Sequence, residues 1–195
     1  MKKLLSTLVL TLAMMVGTSA HSGQNNQLEK ISLNLIKQSL QSVDPLYLLD
    51  WKVGDTANFV VHLGMFGDGS MKKHVTKFEG DTLWMRQDVD MIIQKQVCDV
   101  QIDRNNAQVL KMICNGQEQS LPDGEIEIIS QDYETITVPA GTFKSIHIVA
   151  KSKDIKKMEL WANPQETPME GTLKMIMSTD FMDITMELTS FSRGQ

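Results

Sequence analysis

Clusters of basic residues are absent from this sequence. Its 195 residues include 19 lysines and arginines against 24 acidic residues, which gives a net charge of −5, and no basic run is longer than two residues. Nucleic-acid-binding and membrane-surface segments both depend on clustered Lys and Arg, so we expect neither kind of partner. No apolar run after residue 20 approaches the roughly 20 residues of a membrane-spanning helix. We therefore expect no transmembrane segment in the mature chain.

Motifs of catalytic and cofactor sites are also missing. The sequence contains no HExxH, P-loop, GxGxxG or GxSxG pattern. Ser145 and His147 share one face of a predicted strand, but a nucleophilic pair also needs an orienting acid and an oxyanion site. Acid pairs such as Asp88 and Asp90 are typical of a solvated strand face, although their spacing also fits a calcium site or a glycosidase dyad. We expect a non-enzymatic protein with no cofactor and no metal ion.

The first 20 residues have the three-part layout of a secretory signal. Lys2 and Lys3 precede an uncharged, largely apolar run at 4–16, and small residues follow at 18–20. Cleavage after Ala20 would place the mature protein in the periplasm or outside the cell.

We expect three segments along the chain: a signal peptide at 1–20, an N-terminal helix with its linker at 21–50, and a β domain at 51–195. The helix is predicted over Gln24 to Gln41, where apolar residues recur near helical spacing. Pro45 follows the helix and ends it.

The two cysteines, Cys98 and Cys114, fit an oxidising compartment. A polar turn at 104–107 lies midway between them, so folding the predicted hairpin brings the two sulfurs nearly opposite. This spacing favours a cross-strand disulfide. Two free buried thiols are the main alternative, and the absence of a CxxC spacing disfavours a redox or metal role.

From about Trp51 onward the sequence alternates apolar and polar residues with a period of two. Short connections between successive strands force antiparallel neighbours. One face of the strands is apolar and the other polar, so the predicted sheet curves on itself as a barrel or half-barrel, or splits into two layers. About eleven strands are predicted, near 56–63, 71–79, 82–91, 92–103, 108–115, 125–130, 133–138, 142–151, 156–162, 171–178 and 181–192.

Methionine is unusually abundant, with 14 residues in the chain. Its flexible, polarizable side chain suits surfaces that accept apolar partners of variable shape. The predicted apolar face therefore has three interpretations: a cavity for a lipid-like ligand, an ordinary filled core, or a thioether site for Cu(I). The candidate ligand-lining residues are Met85, Met91, Met158, Leu160, Met175, Met177, Met182 and Met186.

Two tryptophans, Trp84 and Trp161, fall on the predicted polar face of the sheet. Large aromatic residues on a solvated face mark a site that something else covers. We expect either that the N-terminal helix docks there or that the two tryptophans belong to a patch for a protein partner.

The segment from Tyr133 to Ile148 contains the run Val138-Pro139-Ala140-Gly141-Thr142-Phe143. It resembles the "VPAGTF" segment of a family of exported bacterial proteins of unassigned function. That family looks like a relative of the curved antiparallel sheets of lipoprotein carriers of the LolA/LolB type. The resemblance implies a half-barrel that is covered by a helix and that binds an apolar ligand or a partner. It assigns no functional residues.

The leading hypothesis from the sequence is a periplasmic binding protein that holds an apolar ligand or an envelope component in a Met-rich interior. The second is a structural or protein-interaction module of the cell envelope whose core is filled. A hydrolase or metal-binding protein with scattered residues is the third.

Overall fold

A computed structural model describes residues 50–92, 94–105, 107–119, 126–152, 155–179 and 182–195. They form one antiparallel sheet of eleven strands and a single turn of 3-10 helix at Gly64–Phe66. The predicted signal peptide and N-terminal helix lie outside these residues. The strands are β1 (Thr56–His62), β2 (Asp68–Glu79), β3 (Thr82–Met91), β4 (Gln94–Asp103), β5 (Val109–Cys114), β6 (Gln117–Glu118), β7 (Ile126–Val138), β8 (Gly141–Ser152), β9 (Lys157–Ala162), β10 (Thr172–Ser178) and β11 (Asp183–Ser192).

The order of the strands across the sheet is β6-β5-β4-β3-β2-β1-β11-β10-β9-β8-β7. Consecutive strands therefore pair with each other, except for β6 and β7, and the pairing of β1 with β11 joins the two halves of the sheet. The sheet is not closed, and β6 and β7 are its edge strands. This arrangement confirms the predicted fold class.

The half of the sheet that runs from β11 to β7 is curled. The turn between β7 and β8 reaches back across the sheet, where the Ala140 N–H donates to the Leu188 carbonyl of β11 at 3.0 Å. Phe143 and Phe191 meet at the same place, with ring centroids 6.3 Å apart. Since β8, β9 and β10 separate these strands in the sheet, the contact requires the half-barrel curl.

Burial alternates along the strands as the sequence predicts. In β3, for example, Leu83 and Met85 are fully buried while Trp84 between them is half-buried. A sheet with one apolar face must cover that face, and the curl places it on the inside. No helix among the described residues is long and apolar enough to cross a membrane.

Two features of the sheet differ from the prediction. The segments 125–130 and 133–138 form the single strand β7, because β8 pairs along its whole length and a bulge between Ile128 and Ser130 absorbs the change of register. The two-residue strand β6 was not predicted. It is too short to show an alternation.

The predicted hairpin and its disulfide are confirmed. Cys98 and Cys114 are directly opposite in the β4–β5 ladder and are joined by a disulfide bond. In the connecting turn, Ala107 has a φ of 58° and its N–H donates to the Asp103 carbonyl at 2.8 Å. A left-handed conformation at a non-glycine residue is uncommon, so this turn is held by its hydrogen bonds and by the paired strands.

The double variant Cys98→Ser with Cys114→Ser is expected to lower the free energy of unfolding by about 3 kcal/mol, because it frees the closed loop in the unfolded chain. Urea unfolding monitored by circular dichroism measures the loss. A reducing agent should bring the wild-type protein to the same stability as the variant. Equal stability of the oxidised wild type and the variant would contradict this account of the disulfide.

Candidate binding site on the inner face of the sheet

Five of the candidate ligand-lining residues form two neighbouring cross-strand rows on the inner face. In the first row, Leu160 of β9, Met175 of β10 and Met186 of β11 are successive register partners. In the second row, Met158 of β9 lies opposite Met177 of β10. We call these five residues the methionine rows. The register of the three strands therefore brings these five side chains together on one face.

The other three candidates lie apart from the methionine rows. Met85 and Met91 belong to β3, which β2 and β1 separate from β11. Met182 precedes β11 and is partly buried against the core. The sheet therefore has one methionine-rich region, in the half formed by β9, β10 and β11, rather than a continuous lining of methionines.

Most of the candidate side chains are deeply buried. Met85, Met158 and Leu160 are 0%, 1% and 0% exposed, and side chains packed in this way fill the interior at close to crystal density. Any ligand that enters must displace these side chains. Methionine suits such repacking, since its unbranched side chain changes shape at small cost.

The interior also contains an ion pair that the sequence pattern did not reveal. The Lys73 Nζ atom lies 2.5 Å from Glu170 Oε1, and the two residues are 3% and 2% exposed. Thr172 donates its hydroxyl to the same carboxylate oxygen at 3.2 Å, whereas Glu170 Oε2 is buried without a hydrogen-bond partner among the described residues. Because burial of separated charges is costly, these two side chains hold each other in place.

A second buried polar group lies beside this ion pair. Lys73 is the register partner of Ala57 on one side and of Gln87 on the other, and Gln87 is itself buried. The small Ala57 side chain leaves the space that the long lysine side chain occupies. The inner face is thus apolar at the methionine rows and polar where β2 and β3 meet the loop that carries Glu170.

That loop, residues 163–171 between β9 and β10, is held by its own hydrogen bonds. The Asn163 carbonyl accepts from the Thr167 N–H at 3.0 Å and from its hydroxyl at 2.7 Å, and the Asn163 N–H donates to the Gly171 carbonyl at 2.8 Å. Gly171 has a φ of +72°, and a Cβ there would lie 2.2 Å from the Pro164 nitrogen. These contacts fix the path of the loop, and they direct Glu170 inward.

The two tryptophans lie on the outer face, as predicted, but not in one patch. Four strands separate Trp84 on β3 from Trp161 on β9. Each indole N–H donates to a glutamate, Trp84 to Glu79 at 2.7 Å and Trp161 to Glu134. The Trp84 hydrogen bond, together with Lys77, lowers the pKa of Glu79. A protein partner would therefore meet two separate aromatic sites.

His147 is held on the outer face by three neighbours. Its ring stacks on Trp161 with centroids 4.2 Å apart, and its two ring nitrogens lie 3.3 Å from Glu134 and from Glu159. The neighbouring Ser145 donates its hydroxyl to the Glu134 carbonyl at 3.1 Å instead of contacting this histidine. The two residues therefore do not form a nucleophile and base pair. The described part of the chain contains no cluster of three metal-ligating side chains.

No family model and no curated protein sequence matches this chain. Similar solved structures include the hypothetical protein CT021 from Chlamydia trachomatis, with a TM-score of 0.48 and 10% identity over 75% of this chain and 90% of that one. MucB has a TM-score of 0.42 and 10% identity over 81% of this chain, which spans 59% of MucB. A putative outer membrane lipoprotein-sorting protein domain from Vibrio parahaemolyticus has a TM-score of 0.29 and 8% identity, over 84% and 94% of the two chains.

A lipoprotein-sorting domain is among these structures. The comparisons do not identify the exported family that carries the VPAGTF segment. All three TM-scores are below 0.5, and we base no functional conclusion on them.

Removing one partner of the buried ion pair is expected to be strongly destabilising. Glu170→Leu leaves the Lys73 ammonium buried without its carboxylate and should cost about 3–5 kcal/mol in the free energy of unfolding. The double variant Lys73→Met with Glu170→Leu should recover most of that loss, because it removes both charges. Urea unfolding of the single and double variants measures this coupling, and strictly additive effects would contradict it.

The histidine of β2 generates a pH dependence of stability. Burial lowers the pKa of His74 below 6.5, against the opposing effect of Asp88, and nearby Lys72 and Arg86 lower it further. Below pH 6.5 the unfolded chain gains a proton at this position before the folded protein does, so this group reduces stability as the pH falls.

The variant His74→Gln is expected to remove that contribution. Its free energy of unfolding should fall less steeply than that of the wild type between pH 7.5 and pH 5, as measured by urea titration at each pH. The variant His62→Gln is a control, since it replaces a more exposed histidine. Parallel curves for wild type and His74→Gln would show that His74 is not responsible.

Proposed function

We propose that this protein is a non-enzymatic binding protein of the cell envelope that holds an apolar, lipid-like group against the methionine rows. The observation that carries the proposal is the position of those rows on the inner face of a curled sheet. Five flexible or branched apolar side chains from β9, β10 and β11 meet there as direct neighbours. Such a surface adapts its shape to apolar partners of different sizes.

The open sheet supplies a route for the ligand. Within the described residues the edge strands β6 and β7 are not paired with each other, so movement of an edge strand away from the interior would break no hydrogen bonds between these two edges. In a closed barrel the same movement would break a complete row of backbone hydrogen bonds. In this proposal the interior is filled by side chains when no ligand is bound, and an edge of the sheet moves to admit the ligand.

The location in the envelope is supported by the disulfide and by the signal-like N-terminal sequence. Disulfide bonds persist in oxidising compartments and are rare in the cytosol. The bond between Cys98 and Cys114 joins two strands of the core sheet, where it contributes to the fold.

A protein-interaction module with a filled core is the second candidate, and burial favours it. Among the described residues, nine large side chains are less than 2% exposed, including Met85, Met158 and Leu160. If the interior serves only for stability, binding occurs on the outside of the sheet, where the separate sites of Trp84 and Trp161 and the edge strand β7 are accessible.

Ligand binding distinguishes the two candidates. Native mass spectrometry of protein purified without detergent should show a bound apolar species, and the delipidated protein should bind the fluorescent probe N-phenyl-1-naphthylamine. The triple variant Met158→Leu, Met175→Leu and Met177→Leu preserves side-chain volume but reduces adaptability. We expect its affinity for the probe to fall on the order of tenfold, or about 1.4 kcal/mol.

Met85→Leu is the matched control, because it makes the same exchange in the other half of the sheet. It should bind the probe as the wild type does. If the purified protein carries no apolar species and binds no probe, the interior is a filled core and the second candidate is correct.

A further inference from the structure

The buried carboxylate of Glu170 has one oxygen that is left without a donor. Its Oε1 atom accepts from the Lys73 Nζ at 2.5 Å and from the Thr172 hydroxyl at 3.2 Å. Its Oε2 atom is buried and has no hydrogen-bond partner among the described residues. Nearly all buried polar atoms of native proteins are paired, because an unpaired one loses the hydrogen bonds it would make in water. This oxygen therefore needs a donor that the described chain does not supply.

A buried water molecule is one source of that donor. Such a water makes about three hydrogen bonds to buried polar groups that are otherwise unsatisfied. The two histidine atoms among the unpaired set lie on the outer face, and the arginine stacks on Phe78, five residues beyond Lys73 on β2 and roughly 16 Å away. A water at Glu170 Oε2 would satisfy none of them. The other buried side-chain atoms without a partner in the described chain are His74 Nδ1, Arg104 Nε and His147 Nε2.

The charges at this position restrict the kind of donor that a ligand can bring. The Lys73 ammonium and the Glu170 carboxylate already compensate each other, and both side chains are almost inaccessible. A cationic headgroup would add a buried charge without a counter-ion, and an anionic one would face a carboxylate of the same sign. A neutral hydroxyl or amide N–H avoids both costs.

A continuous series of apolar contacts joins the ion pair to the methionine rows. Leu188 follows Met186 by two residues on β11, and it is the register partner of Phe59 on β1. The Lys73 Nζ atom lies 5.8 Å from the centre of the Phe59 ring. All four side chains are buried. The inner face is therefore apolar from the methionine rows up to the ion pair.

We propose that Glu170 is the headgroup site of the ligand, and that its Oε2 atom accepts a hydrogen bond from a neutral hydroxyl or amide N–H at the end of an apolar chain. The rest of that chain lies against the methionine rows. Thr172 precedes Met175 by three residues on β10, about 10 Å along the strand, so a chain of moderate length spans both regions. This assignment rests on the proposed function and adds to it the class of ligand: neutral amphiphiles rather than ionised fatty acids.

The acceptor is held in place by the protein itself. Lys73 and Thr172 fix the carboxylate through Oε1. The Arg193 guanidinium donates to three carbonyls of the loop that carries Glu170, at 3.2–3.3 Å. Because an acceptor that is already ordered reduces the cost of binding, a matching donor should appear directly in the affinity.

Three probe compounds test the headgroup site in the wild-type protein. 1-Decanol and its isomer 1-methoxynonane contain the same atoms, but only the alcohol can donate a hydrogen bond. Decanoate carries an ionised carboxylate at neutral pH. In competition with N-phenyl-1-naphthylamine at pH 7.5, we expect the alcohol to bind at least tenfold more tightly than the ether or decanoate, because only the alcohol pairs with Oε2.

The double variant Lys73→Met with Glu170→Leu removes the acceptor together with its counter-ion. The ratio of alcohol to ether affinity should fall to near one in this variant. Lys111→Met with Glu118→Leu is the matched control, because it makes the same exchange in an exposed ion pair, with an N–O distance of 2.8 Å, between β5 and β6. The control should keep the wild-type ratio. Circular dichroism checks the fold of both variants, and the comparison of compounds in the wild type needs neither of them.

Equal affinities of the wild type for the alcohol and the ether would overturn the headgroup site and assign an ordered water to Oε2. A ratio that persists in the double variant at Lys73 and Glu170 would overturn it as well, since the donor would then reach another acceptor. Decanoate that binds as tightly as the alcohol would contradict the requirement for a neutral headgroup. In all three cases the fluorescent probe still binds, so the proposed function is retained. If the probe and all three compounds fail to bind, the proposed function is wrong and the headgroup site is rejected with it.

Discussion

The structure depends on one constraint: a large sheet with a single apolar face has to cover that face. Side chains alternate between the two faces of a strand. The apolar positions of neighbouring strands therefore define one continuous surface. Leu83, Met158 and Leu188, which belong to three different strands, are all buried on it. The sheet covers this surface by curling, and the Ala140–Leu188 hydrogen bond marks how far the curl proceeds. The methionine rows, the buried ion pair and the exposed edge are consequences of that curl.

The features that the sequence predicts correctly are those set by local alternation or by short chain separation. The alternation of apolar and polar residues within each strand assigns Met158, Met175 and Met186 to the apolar face. The register between the strands then makes them neighbours. The Cys98–Cys114 disulfide follows from a turn midway between two cysteines only 16 residues apart. In each case the relevant geometry lies within one strand or between strands that follow each other directly in the chain.

The features that the sequence does not predict involve contacts between distant parts of the chain. The alternation of β2 places Lys73 on the inner face. From sequence alone, however, a lysine is expected on the surface unless a buried partner for its charge is known. That partner, Glu170, is 97 residues away on a loop whose direction depends on Asn163 and on the positive φ of Gly171. The continuity of β7 likewise depends on pairing with β8, since its own sequence contains a polar break around Gln131.

The buried ion pair and the methionine rows divide the inner face by function. An ion pair of two nearly inaccessible side chains fixes one packing arrangement, because any rearrangement would separate the charges in a medium of low dielectric constant. Methionine side chains exchange rotamers at little cost. The half of the sheet near Lys73 is therefore rigid and the half near Met175 adaptable.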